Sequence, residues 1–145
     1  LLLAGLIMLT QGNRLFWVLA WPGTVLHEFA HYITGLVLLA QPSNFSVMPK
    51  PPTEDGSQDL GSVEFENLGW WNKLPIAVAP LAIFPICLFW ANDLAFSWNA
   101  VTLFKAWILA SGIAMCLPSR QDWKVGFSSP TGVAFYMAVA WLAFR

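Results

Sequence analysis

The sequence predicts an α-helical integral membrane protein with about four transmembrane or re-entrant helices and one small β-hairpin. The first observation is the composition, because 57% of the 145 residues are hydrophobic and only 10% are charged. A soluble domain carries about 25% charged residues, so this chain has too few to cover a water-exposed surface. The second observation is that long apolar stretches alternate with short polar breaks. We therefore expect a multi-pass protein of the cell membrane, with the lipid bilayer as its surroundings.

Length and net charge limit the number of domains and the kinds of partner. By length, residues 1–145 form a single membrane-embedded domain. The net charge of −1 and the lack of a basic run give no case for nucleic acid as a partner. Because the chain opens with Leu1 inside an apolar run, we expect a truncated N-terminus, with Leu1–Leu9 as the tail of a first membrane segment.

The second apolar stretch, Leu15–Ala40, is long enough to cross a hydrocarbon core of about 30 Å at about 1.5 Å per residue. Pro22 and Gly23 interrupt it, and proline inside a helix removes one hydrogen bond. We therefore expect a kink or a restart at this point, with Thr24 as the N-cap of the helix that follows.

That helix carries the only two histidines of the chain, in the pattern His-Glu-x-x-His. Residues four apart share one face of a helix, so His27 and His31 can bind one zinc ion, and Glu28 lies beside them as a general base for water. The alternative is a pair of core histidines that only satisfy polar partners. Two His and one Glu within an apolar run favour the metal, and the sequence predicts one Zn²⁺.

A polar section, Gln41–Asn72, follows the zinc-binding helix. Phe45 and Val47 alternate with polar residues, as do Val63 and Phe65, which predicts a β-hairpin. Its tip would hold the acidic run 54–59. The alternative is a solvated loop.

Three further apolar stretches complete the chain. Trp70, Trp71 and Lys73 have the composition of an anchor at the membrane interface. A kinked helix with three prolines should follow, because neighbouring helices can satisfy the carbonyls that the prolines leave free. The predicted stretches are Leu74–Ala91, with a turn at Asn92 and Asp93, then Phe96–Leu117 and Thr131–Phe144.

A catalytic zinc site usually has three protein ligands, so the third must be a carboxylate or a thiolate here. If each stretch crosses the membrane in turn, Asp122 emerges on the side where the zinc-binding helix ends. Asp93 would emerge on the opposite side. Glu64, Glu66 and Cys116 remain competing candidates. Asp122 is our preferred third ligand.

These residues resemble the site-2 protease clan of intramembrane zinc metalloproteases. The resemblance rests on His27–His31 in an apolar segment, a hairpin, a proline-containing span and the turn Pro118–Asp122 after another span. It implies His27, His31 and Asp122 as zinc ligands and Glu28 as the catalytic base. The turn differs from the Asn-Pro-Asp-Gly or Leu-Asp-Gly element of the main family, so the chain is closer to its minimal, divergent members.

The resemblance implies a zinc metalloendopeptidase that hydrolyses peptide bonds in or near membrane segments of a membrane protein or peptide substrate. An edge strand of the hairpin would hold the substrate extended. The alternative is a non-proteolytic metal-binding membrane protein, either a pseudoprotease that binds client helices or a metal-handling protein. A third possibility, a purely structural bundle, leaves the two His and the Glu unexplained.

Overall fold

A computed structural model describes residues 1–10, 14–49, 60–92 and 99–145. These described residues are mostly helical and contain one two-stranded sheet, as the sequence predicts. The predicted turn at Asp93 and the acidic run 54–59 lie outside the described residues. In chain order the elements are α1 (Leu2–Leu9), α2 (Arg14–Val37), β1 (Pro42–Ser46), β2 (Ser62–Phe65), α3 (Lys73–Val78), a 3₁₀ turn (Ala79–Ala82), α4 (Ile83–Asn92), α5 (Ala100–Ala114), α6 (Arg120–Phe127) and α7 (Pro130–Ala143).

Helix α2 lies at the centre and packs against α1, both strands, α3, the 3₁₀ turn, α4 and α5, and its histidines also contact α6. The predicted restart at Thr24 is wrong, because α2 runs through Pro22 without interruption. Thr24 is not an N-cap, since its Oγ1 donates to the carbonyl of Ala20 inside the helix at 3.3 Å. Gly23 instead allows close packing, because a Cβ there would collide with the carbonyl oxygen of Ser111 in α5.

The predicted hairpin is confirmed as an antiparallel pair in which Pro42 faces Phe65 and Ser46 faces Ser62. The register shifts between Ser43 and Ser46, where Asn44 adopts a positive φ of 42°. Asparagine tolerates this left-handed conformation better than most residues, which suits it to an irregular strand. Val47 lies beyond the end of β1.

Only part of the predicted set of membrane helices is found. Among the described residues, one continuous helical run, Lys73–Asn92, is long and apolar enough to cross a membrane. It contains the three predicted prolines and includes the 3₁₀ turn at Pro80. Helices α6 and α7 pass the same test together, but they meet at 88°. The described part of α5 has 15 residues, fewer than the roughly 20 that a crossing needs.

Two small clusters of buried apolar side chains hold the helices together. The first joins α1, α2 and α5 through residues that include Ile7, Phe16 and Ala110. The second joins α4 to the end of α5 through Cys87 and Cys116, which are free thiols. The clusters fix the end of α5 beside the middle of α2.

The link between the hairpin and α3 is fixed by Asn72, which is almost fully buried. Its side chain accepts from the Gly69 N–H at 2.8 Å and donates to the Asn67 carbonyl at 3.0 Å. The Tyr136 hydroxyl of α7 donates to the carbonyl of Trp71 at 2.6 Å. These bonds set where α3 begins relative to β2 and α7.

Candidate metal centre

His27 and His31 lie one turn apart on α2, as their spacing predicts, and both are buried. Their Nε2 atoms are 3.2 Å apart. Nδ1 of His27 lies 2.7 Å from the carbonyl of Met115, at the end of α5, and Nδ1 of His31 lies 2.8 Å from the carbonyl of Ile76 in α3. A carbonyl oxygen can only accept, so each Nδ1 carries a proton. In the neutral rings both Nε2 lone pairs therefore point at the same place.

Asp122 completes the group from α6. Its Oδ2 lies 3.4 Å from Nε2 of His27, and its Oδ1 lies 3.3 Å from Nε2 of His31. These three side chains form the one group among the described residues in which three potential metal ligands converge. The structure thus brings the preferred third candidate to the two histidines.

The start of α6 holds Asp122 in place. Ser119 is the N-cap, and its side chain accepts from the Asp122 N–H at 3.1 Å. In return Asp122 Oδ2 accepts from the Ser119 N–H at 2.6 Å, which makes a capping box. Pro118 directly precedes this cap, and proline is common between the end of one helix and the start of the next. The helix start therefore orients the carboxylate toward α2.

Asp122 is partly buried, and its carboxylate faces two imidazole nitrogens of rings whose protons lie on Nδ1. A cation shared by the three side chains would satisfy the carboxylate and both Nε2 atoms at once.

The geometry fits zinc. Ligand atoms about 2.0 to 2.1 Å from a tetrahedral zinc lie about 3.3 Å from one another. The two Nε2 atoms are 3.2 Å apart, which matches this spacing. Asp122 places one oxygen near each ring, Oδ2 at 3.4 Å from His27 and Oδ1 at 3.3 Å from His31. Two imidazoles and one carboxylate are a donor set that zinc accepts, and the Nδ1 hydrogen bonds to backbone carbonyls fix the tautomer that a metal needs.

The three side chains open into a cavity of about 650 Å³. Glu28 lines the same cavity, is 8% exposed and follows His27 directly in the chain. All four residues of β2 line it as well, and none of β1 does. The cavity walls are otherwise largely apolar, with residues from α1, α5 and α6. A fourth metal position would therefore face a space that is large enough for a peptide segment.

Gly61, just before β2, crosses directly over Glu28. A Cβ added to Gly61 would lie 2.6 Å from Cγ and 2.9 Å from Oε1 of Glu28. Only a residue without a side chain lets the strand approach the carboxylate so closely. Gly61 was not among the residues predicted for the site, although a glycine at the edge of a predicted strand is a known signal of close backbone approach.

Glu64 also lines the cavity, but none of the competing candidates joins the two histidines. Glu64 accepts from the Asn44 side chain at 2.8 Å on the surface of the hairpin. Glu66 is exposed, and Cys116 donates through its Sγ to the carbonyl of Ile113 at 3.1 Å. None of the three joins the group formed by His27, His31 and Asp122.

Comparison of this chain with family models, curated proteins and solved structures finds no match.

Proposed function

We propose that this protein is an intramembrane zinc metalloprotease in which His27, His31 and Asp122 bind the metal and Glu28 is the general base. The convergence of the two Nε2 lone pairs and the Asp122 carboxylate at 3.2 to 3.4 Å carries the proposal. Such a group is repulsive without a cation, because three electron-rich atoms face one another in a buried setting. A divalent metal neutralises it, and the protonated Nδ1 atoms leave both rings ready to coordinate.

Zinc, when bound, supplies a Lewis acid that lowers the pKa of water toward about 7 and polarises a carbonyl. The protein's own contribution begins with Glu28. Its carboxylate lines the cavity beside His27 and is poised to take a proton from the attacking water. The same carboxyl then returns that proton to the amine leaving group, so that Glu28 ends the cycle ionised as it began.

The position of β2 supports a peptide as the substrate. Among the described residues β2 pairs only with β1, and all of β2 lines the cavity, so an extended segment could pair with its other edge. Strand addition uses backbone hydrogen bonds and so accepts many side chains. It would also hold a peptide bond extended, which cleavage of a helical membrane segment requires. The substrate would therefore be a membrane protein or peptide that unwinds locally.

The surface composition supports a site within a bilayer. The run Lys73–Asn92 can cross a membrane, and large apolar side chains such as Phe89, Trp90 and Met137 are at least 65% exposed. Exposed apolar area on this scale is typical of contact with lipid. We therefore propose that the protein is embedded in a membrane, with Lys73–Asn92 as a crossing and the exposed sides of α7 in contact with lipid.

The test combines zinc content with cleavage. Purified wild-type protein should contain about one zinc ion per chain, as a site with three ligands and a water requires. His31→Ala should lose it, and Glu28→Gln should keep it but lose cleavage of an unfolded membrane peptide. A wild-type protein that binds zinc yet cleaves no peptide supports the non-proteolytic metal-binding alternative. A wild-type protein that takes up no zinc after reconstitution contradicts the proposal.

A further inference from the structure

Helix α6 has two faces of different composition. Toward the protein it presents Asp122 and Gly126, and a Cβ on Gly126 would lie 2.9 Å from Cβ of Ala77 in α3. Away from the protein it presents Trp123 and Phe127, which are stacked with centroids 5.3 Å apart at 12°. They are 38% and 55% exposed, so this aromatic pair faces outward.

Two cations lie next to the aromatic pair. Arg120 and Lys124 are one turn apart on α6, and both are exposed. In a helix, positions 120, 123, 124 and 127 fall on one side, opposite positions 122 and 126. None of the described acidic residues pairs with either cation. The outward face of α6 is therefore half aromatic and half cationic.

The angle between α6 and α7 indicates how the outward face of α6 lies relative to a membrane. The two helices meet at 88°, and α7 is apolar along its 14 residues and exposed on most sides. If α7 runs along the membrane normal, α6 lies in the membrane plane. A short helix in that plane, with aromatic and cationic side chains together, has the composition of an interfacial helix.

Two exposed tryptophans lie beside the first half of α7. The Tyr136 side chain reaches back toward the start of this helix, where its hydroxyl donates to the Trp71 carbonyl. Trp70 and Trp71 are 51% and 37% exposed. Tryptophan concentrates at the boundary between lipid and water. These two tryptophans and the aromatic pair of α6 lie on or beside the two helices that meet at this corner, and we call the four rings the aromatic belt.

We infer that the outward face of α6, formed by Arg120, Trp123, Lys124 and Phe127, is an interface that binds anionic lipid headgroups. The indole and phenyl rings lie at the boundary of the acyl chains, and the guanidinium and ammonium groups bind lipid phosphates. Each cation near an anionic surface strengthens binding about fivefold. Neutral lipids would hold the aromatic rings at the same boundary, but their headgroups carry no net charge to attract the two cations.

This placement also predicts how far below the membrane surface a substrate is cut. That part of the inference rests on the proposed function. Asp122 lies on the opposite side of α6, and a helix with its side chains is about 10 Å across. The metal centre then lies about one helix diameter beneath the headgroups. The substrate class would be membrane segments that are cut near their end at the membrane surface, within reach of water.

The first experiment measures the depth of α6 without using activity. A spin label is attached to Phe127→Cys, and a matched label to Met137→Cys on α7, in the full chain in lipid nanodiscs. Both native cysteines are buried and can stay in place. The label at 127 should be reached both by dissolved oxygen and by a water-soluble relaxing agent. The label at 137, about 10 Å along α7, should be reached by oxygen alone.

The second experiment measures lipid preference. Association of spin-labelled phosphatidylglycerol is compared with that of phosphatidylcholine for wild type, R120Q/K124Q and the control K105Q/R145Q, which removes the same charge elsewhere. The wild type should prefer the anionic lipid. R120Q/K124Q should lose up to about fivefold of that preference for each cation, and the control should keep it.

Several results would overturn the inference. A label at 127 that is reached only by the water-soluble agent would place α6 in water, and one shielded from both agents would place it against protein. Equal lipid preference in wild type and R120Q/K124Q, or an equal loss in the control, would remove the specific role of the two cations. Loss of zinc or cleavage leaves these readouts unchanged, so failure of the proposed function is seen separately.

Discussion

Nε2 of His27 and Nε2 of His31 lie 3.2 Å apart while each ring donates its Nδ1 proton to a backbone carbonyl. Two carbonyls from different elements, at Met115 and Ile76, thus decide which nitrogen of each ring faces the site. Nearly all metal-bound histidines carry such a second hydrogen bond, which raises the basicity of the coordinating nitrogen. The arrangement is costly for a structural pair, because neither neutral ring can donate to the other.

The first prediction concerns the third ligand. Asp122→Asn keeps the size of the side chain but removes its charge, so zinc affinity should fall by more than the roughly 100-fold that outer-shell partners contribute. Glu64→Gln removes a carboxylate of the same cavity that bonds to Asn44, and it should leave zinc bound. Metal titration with a competing chelator measures both. Equal zinc affinities of wild type and Asp122→Asn would show that another residue is the third ligand.

The second prediction separates two roles of Ser119, which are to orient Asp122 and to stabilise the start of α6. Ser119→Ala removes the cap and half of the capping box, which should cost about 1 kcal/mol of unfolding free energy. It should also lower zinc affinity about tenfold, because Asp122 loses a partner that orients it. Ser129→Ala, the N-cap of α7, is the matched control and should lower stability while leaving zinc affinity unchanged. Parallel losses of affinity in both variants would contradict the orienting role of Ser119.

The parts of the site that lie close together in the chain could be predicted from the sequence. His27 and His31 share a face because helix periodicity alone puts residues four apart on one side. The approach of Asp122 followed from counting membrane crossings, although α6 and α7 meet at 88° and do not form a straight span. Asp122 lies beside the two histidines although the topology behind its choice was simplified, which reflects the few carboxylates that the chain offers.

Other features depend on contacts across the fold and left no readable signal. The carbonyls of Met115 and Ile76 belong to the backbone, which any residue supplies. Thr24 after Pro22 has the sequence of a helix start, yet tertiary packing keeps α2 continuous. Gly23 fits against Ser111, so the Pro-Gly pair serves close packing of α2 on α5. At this position, the packing of α2 on α5 outweighs the local preference of the sequence to start a new helix.

The third prediction tests that packing. In Gly23→Ala the new methyl group would collide with the Ser111 carbonyl, and overpacking of this kind should cost about 1 to 3 kcal/mol of unfolding free energy. Gly5→Ala, where a Cβ meets nothing within 4 Å, is the control and should be neutral or slightly stabilising. Thermal unfolding in detergent measures the difference. A Gly23→Ala protein as stable as the control would show that α2 and α5 can move apart without loss of stability.

The fourth prediction concerns the strand that covers Glu28. Gly61→Ala places a methyl group 2.6 Å from Glu28 Cγ, so the carboxylate must move. Displacement of a catalytic group by about 1 Å can cost about 100-fold in rate. Cleavage should fall on this scale while zinc content stays at the wild-type level, because Gly61 is not a ligand. Gly69→Ala, whose added Cβ would lie 3.3 Å from the Trp71 ring and 4.0 Å from Asn72 Oδ1, is the control and should cleave normally.

The fifth prediction tests strand addition at β2. Proline lacks an N–H and is poorly accepted in a paired strand, so Val63→Pro should remove part of the backbone ladder that an extended substrate would use. Cleavage should drop with zinc still bound. Val47→Pro is the matched control, because Val47 lies outside β1 and does not line the cavity. Peptide cleavage and zinc content are measured for both variants, and circular dichroism checks that the helices remain. If Val63→Pro cleaves as well as Val47→Pro, the substrate does not pair with β2, and the cavity must bind it through its apolar walls.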